Sequence, residues 1–550
     1  VIWMSSQSST RKIAEKIAVI NDRSVFLGFD VYMTLELLCK TPQQWMDADV
    51  EQQAAWRVET YKKLNMVLGK KKIVSRPTLR RWLALDGENA VFPKREQILK
   101  MALALSFDEE QLQRCLRQGI QEPGIQINDY QEILCLYCAA HHLDNNKYED
   151  MLQIYLSLTY VAGENTFFRG LKKLLPGRYL IWKDGVVTVK RYWKPEFHPD
   201  DSKSLEEWAD EIHTTLGEIM KEVKTSDERV ESFLSGGVDS SYVLAMSDAD
   251  TADTCGYEEE RFDESVLAVE TARILERKIS RRVINPEEYF NIVPYVMYNM
   301  EQPLGDASAI VFALGCQATA EHTKICYSGE GADEFFGGYN MYRNAERYGE
   351  NLKNFYVGNT NIMKEDEKKK ILKKYDPDVL PIEVAQSIYE EMEGLDPLTK
   401  MSNIDIQIWL EGDIYLNVDK MSEAAGLEVR MPLTDLRIFD IASRMPSKYK
   451  VNEEQNKVAF RTAAQKMLPE EIAFRKKLGF IVPIRIWMAD DRYNQDVRAK
   501  FHSEMAEKFF NVEEINAIFD EYVGGNSDNW RKVWTIYTFL VWYEEYFVKR

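Results

Sequence analysis

The chain has 550 residues, 45% of them hydrophobic and 29% charged, with a formal net charge of −19. That length exceeds what one hydrophobic core supports, so two or three domains are expected. The acid excess excludes a chain that binds nucleic acid non-specifically over its whole surface. No apolar run is long enough to span a bilayer. Seven scattered cysteines form no disulfide framework, and no signal-peptide pattern is visible, so a reducing cytoplasm is the expected compartment.

Residues 1–150 read as a separate, mainly helical domain. Gln97–Leu105 and Glu109–Arg117 show helical spacing with few breakers. Ser75-Arg76-Pro77-Thr78-Leu79-Arg80-Arg81-Trp82-Leu83 followed by Pro93-Lys94-Arg95-Glu96 resembles the second half of a helix-turn-helix. Between Lys62 and Lys100 stand eleven basic residues against three acids. A basic face over residues 60–120 suits contact with a phosphate backbone; a small helical interaction domain with a solvated basic surface explains the same residues more simply. Cys135-x-x-Cys138 before His141-His142 has metal-like spacing, but it lacks a partner pair and lies in an apolar helical run, so core packing is the expected role.

Beyond this region short apolar strands alternate with helices. Ser232–Leu234, Thr254–Tyr257 and Lys324–Tyr327 alternate with Ser241–Met246, Glu264–Glu276 and Ala309–Glu321, which predicts βαβ units and a mainly parallel α/β sheet. Residues 351–400, rich in Lys and Glu, read as a mobile surface insertion. From Val384 onward the chain reads as mostly helical, ending in Trp530–Val548, whose aromatic stripe is expected in a core.

Two loops carry the chemistry. The first, Phe233-Leu234-Ser235-Gly236-Gly237-Val238-Asp239-Ser240-Ser241, is a glycine-rich strand-to-helix turn. It aims unpaired backbone N–H groups and a positive helix end at one point, and the serines add donors. Asp239 suits a bridging Mg²⁺. A pyrophosphate fits this loop, and no Walker lysine pattern competes with it. The second, Tyr327-Ser328-Gly329-Glu330-Gly331-Ala332-Asp333-Glu334 through Tyr339, also follows a strand candidate. Ligands collect at that edge of an open α/β sheet. Crowding Glu330, Asp333 and Glu334 there calls for a cation, either Mg²⁺ or a substrate ammonium.

The first loop resembles the PP-loop of ATP pyrophosphatases, the adenine nucleotide α-hydrolase-like enzymes that split ATP to AMP and pyrophosphate. The pair of loops resembles the synthetase domain of the asparagine synthetase family. Further matching stretches are Arg261-Phe262-Asp263-Glu264-Ser265, Glu301–Ile310, Asp419-Lys420-Met421-Ser422, and Gly426–Leu433 with Thr434 in place of the usual Leu. Asn456-Lys457-Val458-Ala459-Phe460-Arg461 and Arg475-Lys476-Lys477-Leu478-Gly479-Phe480 complete the set. The resemblance covers about residues 153–550, with residues 197–550 as the synthetase domain. Residues 151–196 resemble only the tail and linker of that family's glutaminase domain, whose N-terminal cysteine has no counterpart at Val1 or Met4.

The resemblance implies an ATP- and Mg²⁺-dependent ligase that adenylates a carboxylate, most simply aspartate, and amidates it with free ammonia or ammonia from a partner glutaminase. It places Leu234, Ser235, Gly236, Gly237, Asp239, Ser240, Ser241, Ser328 and Gly329 around ATP and pyrophosphate. Lys457, Asp239, Glu330 and Asp333 are the implied catalytic residues, with Asp239 and Asp333 on the metal. Glu330 fits a substrate with a free α-ammonium group. The alternatives are the same adenylation chemistry on a peptide or another small acid, and a DNA-binding or interaction protein whose synthetase half senses nucleotide.

Overall fold

A computed structural model describes residues 29–69, 74–85, several short stretches and single positions between 93 and 116, then 149–168, 171–183, 186–224, 229–476, 479 and 481–549. The chain divides into two compact units, Val1–Lys147 with Phe168–Leu171, and Tyr148–Phe167 with Lys172–Arg550.

Among its described residues the first unit is helical. Helices Phe29–Leu38, Val50–Leu64 and Arg76–Trp82 contribute Phe29, Leu64, Leu79 and Trp82 to one apolar core. Ser75 caps the last of these helices by accepting from Thr78 N–H. The Cys135–His142 motif lies outside the described residues.

The second unit begins its strands with an antiparallel hairpin, β1 (Arg178–Lys183) and β2 (Val186–Arg191). Its centre is a five-stranded parallel sheet of β3 (Val230–Phe233), β4 (Thr251–Tyr257), β5 (Lys278–Ile284), β6 (Ile325–Tyr327) and β7 (Glu428–Arg430), in the order β5-β4-β3-β6-β7. The expected α/β class with a parallel sheet and a helical C-terminal part is what the structure shows. β3 is first in sequence and central in space, so the chain winds outward from it in both directions. Its boundary with β6 is the topological switch point, and the loops after β3 and β6 open side by side there.

Sequence chemistry accounts for the layers. Helix Leu205–Glu222 opens with a capping box between Ser204 and Glu207 and buries Trp208, Ile212, Leu216 and Ile219. Helix Ser308–Ala320 is nearly all apolar and covers the sheet, with Phe312 edge-on to Phe233 at 5.3 Å between ring centroids. Helix Trp530–Tyr543 is buried on all sides from Val533 on, Trp534 and Trp542 included, so this part of the aromatic stripe is core as expected, whereas Glu544–Val548 buries no residue.

Three expectations change. Two strands, β5 and β7, were not foreseen. The helix after the first loop starts at Val238, with Gly237 as its N-cap, so Asp239, Ser240 and Ser241 belong to its first turn. Residues 351–400 are not a surface insertion: Lys368 is fully buried and donates to Ser157 Oγ at 2.8 Å, and Gln153 Nε2 donates to the carbonyls of Asp376 and Val379. A Lys/Glu-rich composition hid polar groups that are satisfied internally.

Candidate active site

The loop after β3 is built by three linked features. Leu234 is buried, and its N–H donates to Asp253 carbonyl at 2.9 Å, which holds the loop to β4. Gly236 adopts φ +81°, and a Cβ there would lie 2.8 Å from the backbone of Leu267 and Ala268. Only glycine serves at this point. Ser240 Oγ accepts from Ser235 N–H at 3.1 Å and lies 3.0 Å from Ser235 Oγ, closing the turn on itself. Ser235 stays exposed. Ser241 is enclosed in the core, and its hydroxyl takes no hydrogen bond among the described residues.

The loop after β6 crosses the start of the same helix. A Cβ on Gly329 would come within 2.7 Å of Ser240 N, so the second loop lies directly on the first. Ser328 N–H donates to Arg430 carbonyl on β7 at 2.9 Å, and Ser328 Oγ donates to Glu330 Oε1 at 3.3 Å. Gly331 takes φ +94°, and a Cβ there would meet Thr434 Cγ2 at 2.8 Å and Tyr415 Oη at 3.5 Å. Thr434 and Tyr415 thus back the turn that carries Glu330.

Lys457 joins the two loops. Its Nζ lies 2.7 and 2.6 Å from the carboxylate oxygens of Asp239 and 2.6 Å from Asp333 Oδ1. The residue is 1% exposed. Its backbone is left-handed, φ 58° and ψ 39°, at the N-cap of helix Val458–Ala464. A non-glycine residue held there is strained, and such strain gathers at working sites. Asn456, just before it, donates to Gly338 carbonyl at 2.8 Å. Gly338 leaves the space that the ion pairs use, since a Cβ there would overlap both Asp333 Oδ1 and Lys457 Cε, at 1.7 and 2.2 Å.

The sequence leads one to expect Glu330, Asp333 and Glu334 crowded around a cation. The structure separates Glu334 from Asp333. Asp333 faces Lys457, whereas Glu334 is buried and accepts from Tyr339 Oη at 2.5 Å. Burial, then the negative charge of Asp333, pushes the Glu334 carboxyl up to about 8. Glu334 is therefore a core acid whose charged form burial disfavours, and the crowding is relieved by that burial and by Lys457.

Among the described residues no cluster of three or more His, Cys, Asp or Glu side chains forms a metal site by itself. Asp239 and Asp333 converge on one cation-sized spot, which the Lys457 ammonium fills here; the same two carboxylates could serve a Mg²⁺ completed by phosphate oxygens only with that ammonium displaced.

Two arginines in this region were not singled out from sequence. Arg461 is buried and donates to the carbonyls of Asn456, Ala473 and Arg475 at 2.8, 2.8 and 2.9 Å. Arg475 reaches the first loop itself, with Nη1 2.8 Å from Gly236 carbonyl. Their one sequence signal was membership in motifs whose more conspicuous member was Lys457 or a run of lysines.

A central parallel strand ending in a glycine-rich anion loop, with a carboxylate loop on the neighbouring strand and helices behind, is the architecture of PP-loop synthetases. A family model for asparagine synthase matches residues 211–544. The chain is 32% identical over 444 residues to asparagine synthetase [glutamine-hydrolyzing] 1 of Bacillus subtilis, covering 73% of this chain and 70% of that protein. It is 23% identical over 335 residues to asparagine synthetase [glutamine-hydrolyzing] 3 of the same organism, covering 56% and 54%. It is also 30% identical over 203 residues to the amidase chyE of Penicillium rubens, covering 32% and 30%. The chain belongs to the asparagine synthase family. It is a carbon–nitrogen ligase of the kind that forms amides with ATP. Among the described residues no helix is long and apolar enough to cross a membrane.

Proposed function

We propose that this ligase adenylates aspartate and converts it to asparagine with ammonia. The observation that carries the reading is the position of Lys457, which ties the anion loop to the carboxylate loop through Asp239 and Asp333. A substrate carboxylate oxygen attacks the α-phosphorus of ATP, the bond to the β-phosphate breaks, and pyrophosphate departs. Ammonia then attacks the acyl carbon, loses a proton, and AMP leaves with the bonding pair.

Each part of the site has a task in this scheme. Gly236, Gly237, Ser235 and Ser240 offer backbone and hydroxyl donors to the leaving pyrophosphate. Leu234, Ser328 and Gly329 border the nucleotide, with Ser241 supporting the helix from inside. Glu330 receives the α-ammonium of the acid substrate. Asp239 and Asp333 would hold Mg²⁺ in place of the Lys457 ammonium, and the ion would supply neutralisation of the phosphate charge. Lys457 stabilises the negative charge that develops on the acyl-phosphate oxygens, because its buried ammonium is held at the junction of the two loops.

The amine is free ammonia or ammonia delivered by a separate glutaminase. Residues 60–120 are the place for a DNA or protein partner. Free thiols at Cys39, Cys115, Cys255, Cys316 and Cys326 support a reducing cytoplasm. Pyrophosphate release from MgATP, screened across acids with ammonia present, tests the reading. Aspartate is expected to stimulate release and yield asparagine. Turnover with another acid or a peptide, but none with aspartate, would assign the same machinery to a different substrate. Binding of an operator DNA with no turnover on any acid would make the chain a regulator.

A further inference from the structure

Besides Lys457 at Asp239, the Ser235–Ser241 segment is held from outside by Arg475 at its glycine turn. Arg475 Nη1 donates to Gly236 carbonyl at 2.8 Å and to Thr271 Oγ1 at 3.1 Å, with Leu267 carbonyl at 3.4 Å. Arg475 Nη2 pairs with Glu270 at 2.8 Å. The guanidinium thus joins the loop apex to helix Ser265–Ile274, and its planar fork suits several acceptors held at fixed angles. Arg461 supports it by donating to Arg475 carbonyl at 2.9 Å.

Orientation makes this contact matter. In a trans peptide the carbonyl and the following N–H point in opposite directions, and no described peptide bond is cis. Drawing Gly236 carbonyl toward Arg475 turns Gly237 N–H to the far side, where Ser235 Oγ on the exposed face of the loop accepts it at 3.3 Å. Gly236 has no Cβ and sits at φ +81°, so its own backbone gives little resistance to a peptide flip. A flip would present a carbonyl oxygen to an incoming anion.

We infer that Arg475 is the positioning residue for pyrophosphate: by holding Gly236 carbonyl it keeps Gly237 N–H facing the anion without touching the anion itself. The inference rests on the proposed reading of this loop as the pyrophosphate site. It assigns Arg475 an effect on the leaving group alone, and none on the adenosine end of the site.

Arg475→Ala and Arg475→Lys, made in the full chain, test it by calorimetric titration with magnesium pyrophosphate and, separately, with AMP, alongside thermal unfolding. Arg475→Ala is expected to weaken pyrophosphate binding about tenfold or more, the loss of one charge-assisted hydrogen bond. AMP affinity is expected to stay within about twofold. Arg475→Lys keeps the charge and one donor, so it is expected to recover part of the loss. Equal weakening of pyrophosphate and AMP, or unchanged pyrophosphate binding, would overturn the positioning role. If Arg475→Ala does not fold, the Lys variant decides by the same ratio. A wild-type chain that binds AMP but no pyrophosphate would overturn the reading of the loop and this inference with it.

Discussion

Two pairs of acids, an upper one just past β3 and β6 and a lower one on β3 and β4, are handled in opposite ways. Asp239 and Asp333, just past β3 and β6, meet at Lys457 with contacts of 2.6–2.7 Å. Glu231 on β3 and Asp253 on β4 lie inside the sheet, both buried. There burial first, then a hydrogen bond and the charge of Glu231, pushes the Asp253 carboxyl up to about 8. Arg229 pairs with Glu231 at 2.5 Å but is itself 58% exposed. The upper pair is compensated by a cation, whereas in the lower pair burial and the neighbouring Glu231 favour the protonated form of Asp253. A cation leaves the oxygens convergent and exchangeable, whereas a buried carboxyl raised in this way keeps its proton. The first arrangement suits chemistry and the second suits a scaffold.

The largest expected effect breaks the upper pair. Lys457→Ala removes the ammonium and leaves Asp239 and Asp333 facing each other. Amide formation is expected to fall about 10²–10³-fold, the usual loss for one charge stabiliser. An assay of asparagine and AMP production checks it. A rate within about threefold of wild type would mean that the lysine is only structural.

Gly338→Ala tests the same pair through space rather than charge. Its Cβ would overlap Asp333 Oδ1 and Lys457 Cε, so the ion pairs must part while every charge remains. Activity is expected to drop about tenfold or more, since a displacement of about 1 Å can cost 10²-fold. Unfolding temperature should change far less than activity. The reverse order would place the strain in the fold.

The lower pair gives the smallest effect, a pH dependence. The folded-state value of Asp253 is raised, so the native chain binds a proton that the unfolded chain releases at lower pH. Its stabilising contribution is therefore full below the unfolded value of 3.8 and is lost as pH rises towards about 8. Asp253→Asn keeps the shape and removes the titration. Its unfolding temperature is expected to fall less than that of wild type between pH 5 and pH 8. Parallel curves for the two proteins would show that Asp253 carries no raised value in the folded chain. Glu334, also pushed up to about 8 by burial and Asp333, contributes with the same sign and remains in both proteins.

How much of this was legible in the sequence depended on whether the signal was local. β3 and β6 showed as short apolar runs before glycine-rich turns, and both loops were read from residue type and spacing. β5, Lys-Ile-Ser-Arg-Arg-Val-Ile, is an edge strand whose three basic side chains masked it. β7 is only three residues long and lies inside a motif read for its family resemblance. Glu334 was read as a site acid because nothing local shows that Tyr339, five residues on, turns it inward. The junction at Lys457 depends on chain closure over more than two hundred residues, from Asp239 to Lys457, and on a left-handed backbone that no residue type there announces. Arg475 stands in a stretch that showed only as a family match, and nothing in the run Arg475-Lys476-Lys477 marks which basic side chain reaches Gly236.

The central claim is that a carboxylate attacks ATP at the place where Lys457 joins the two loops. Aspartate carrying a heavy-oxygen label in its side-chain carboxylate, turned over with MgATP and ammonia, tests it most directly by mass spectrometry of the nucleotide product. Transfer of one labelled oxygen into AMP is the predicted result. Label found in pyrophosphate or phosphate, with none in AMP, would contradict it.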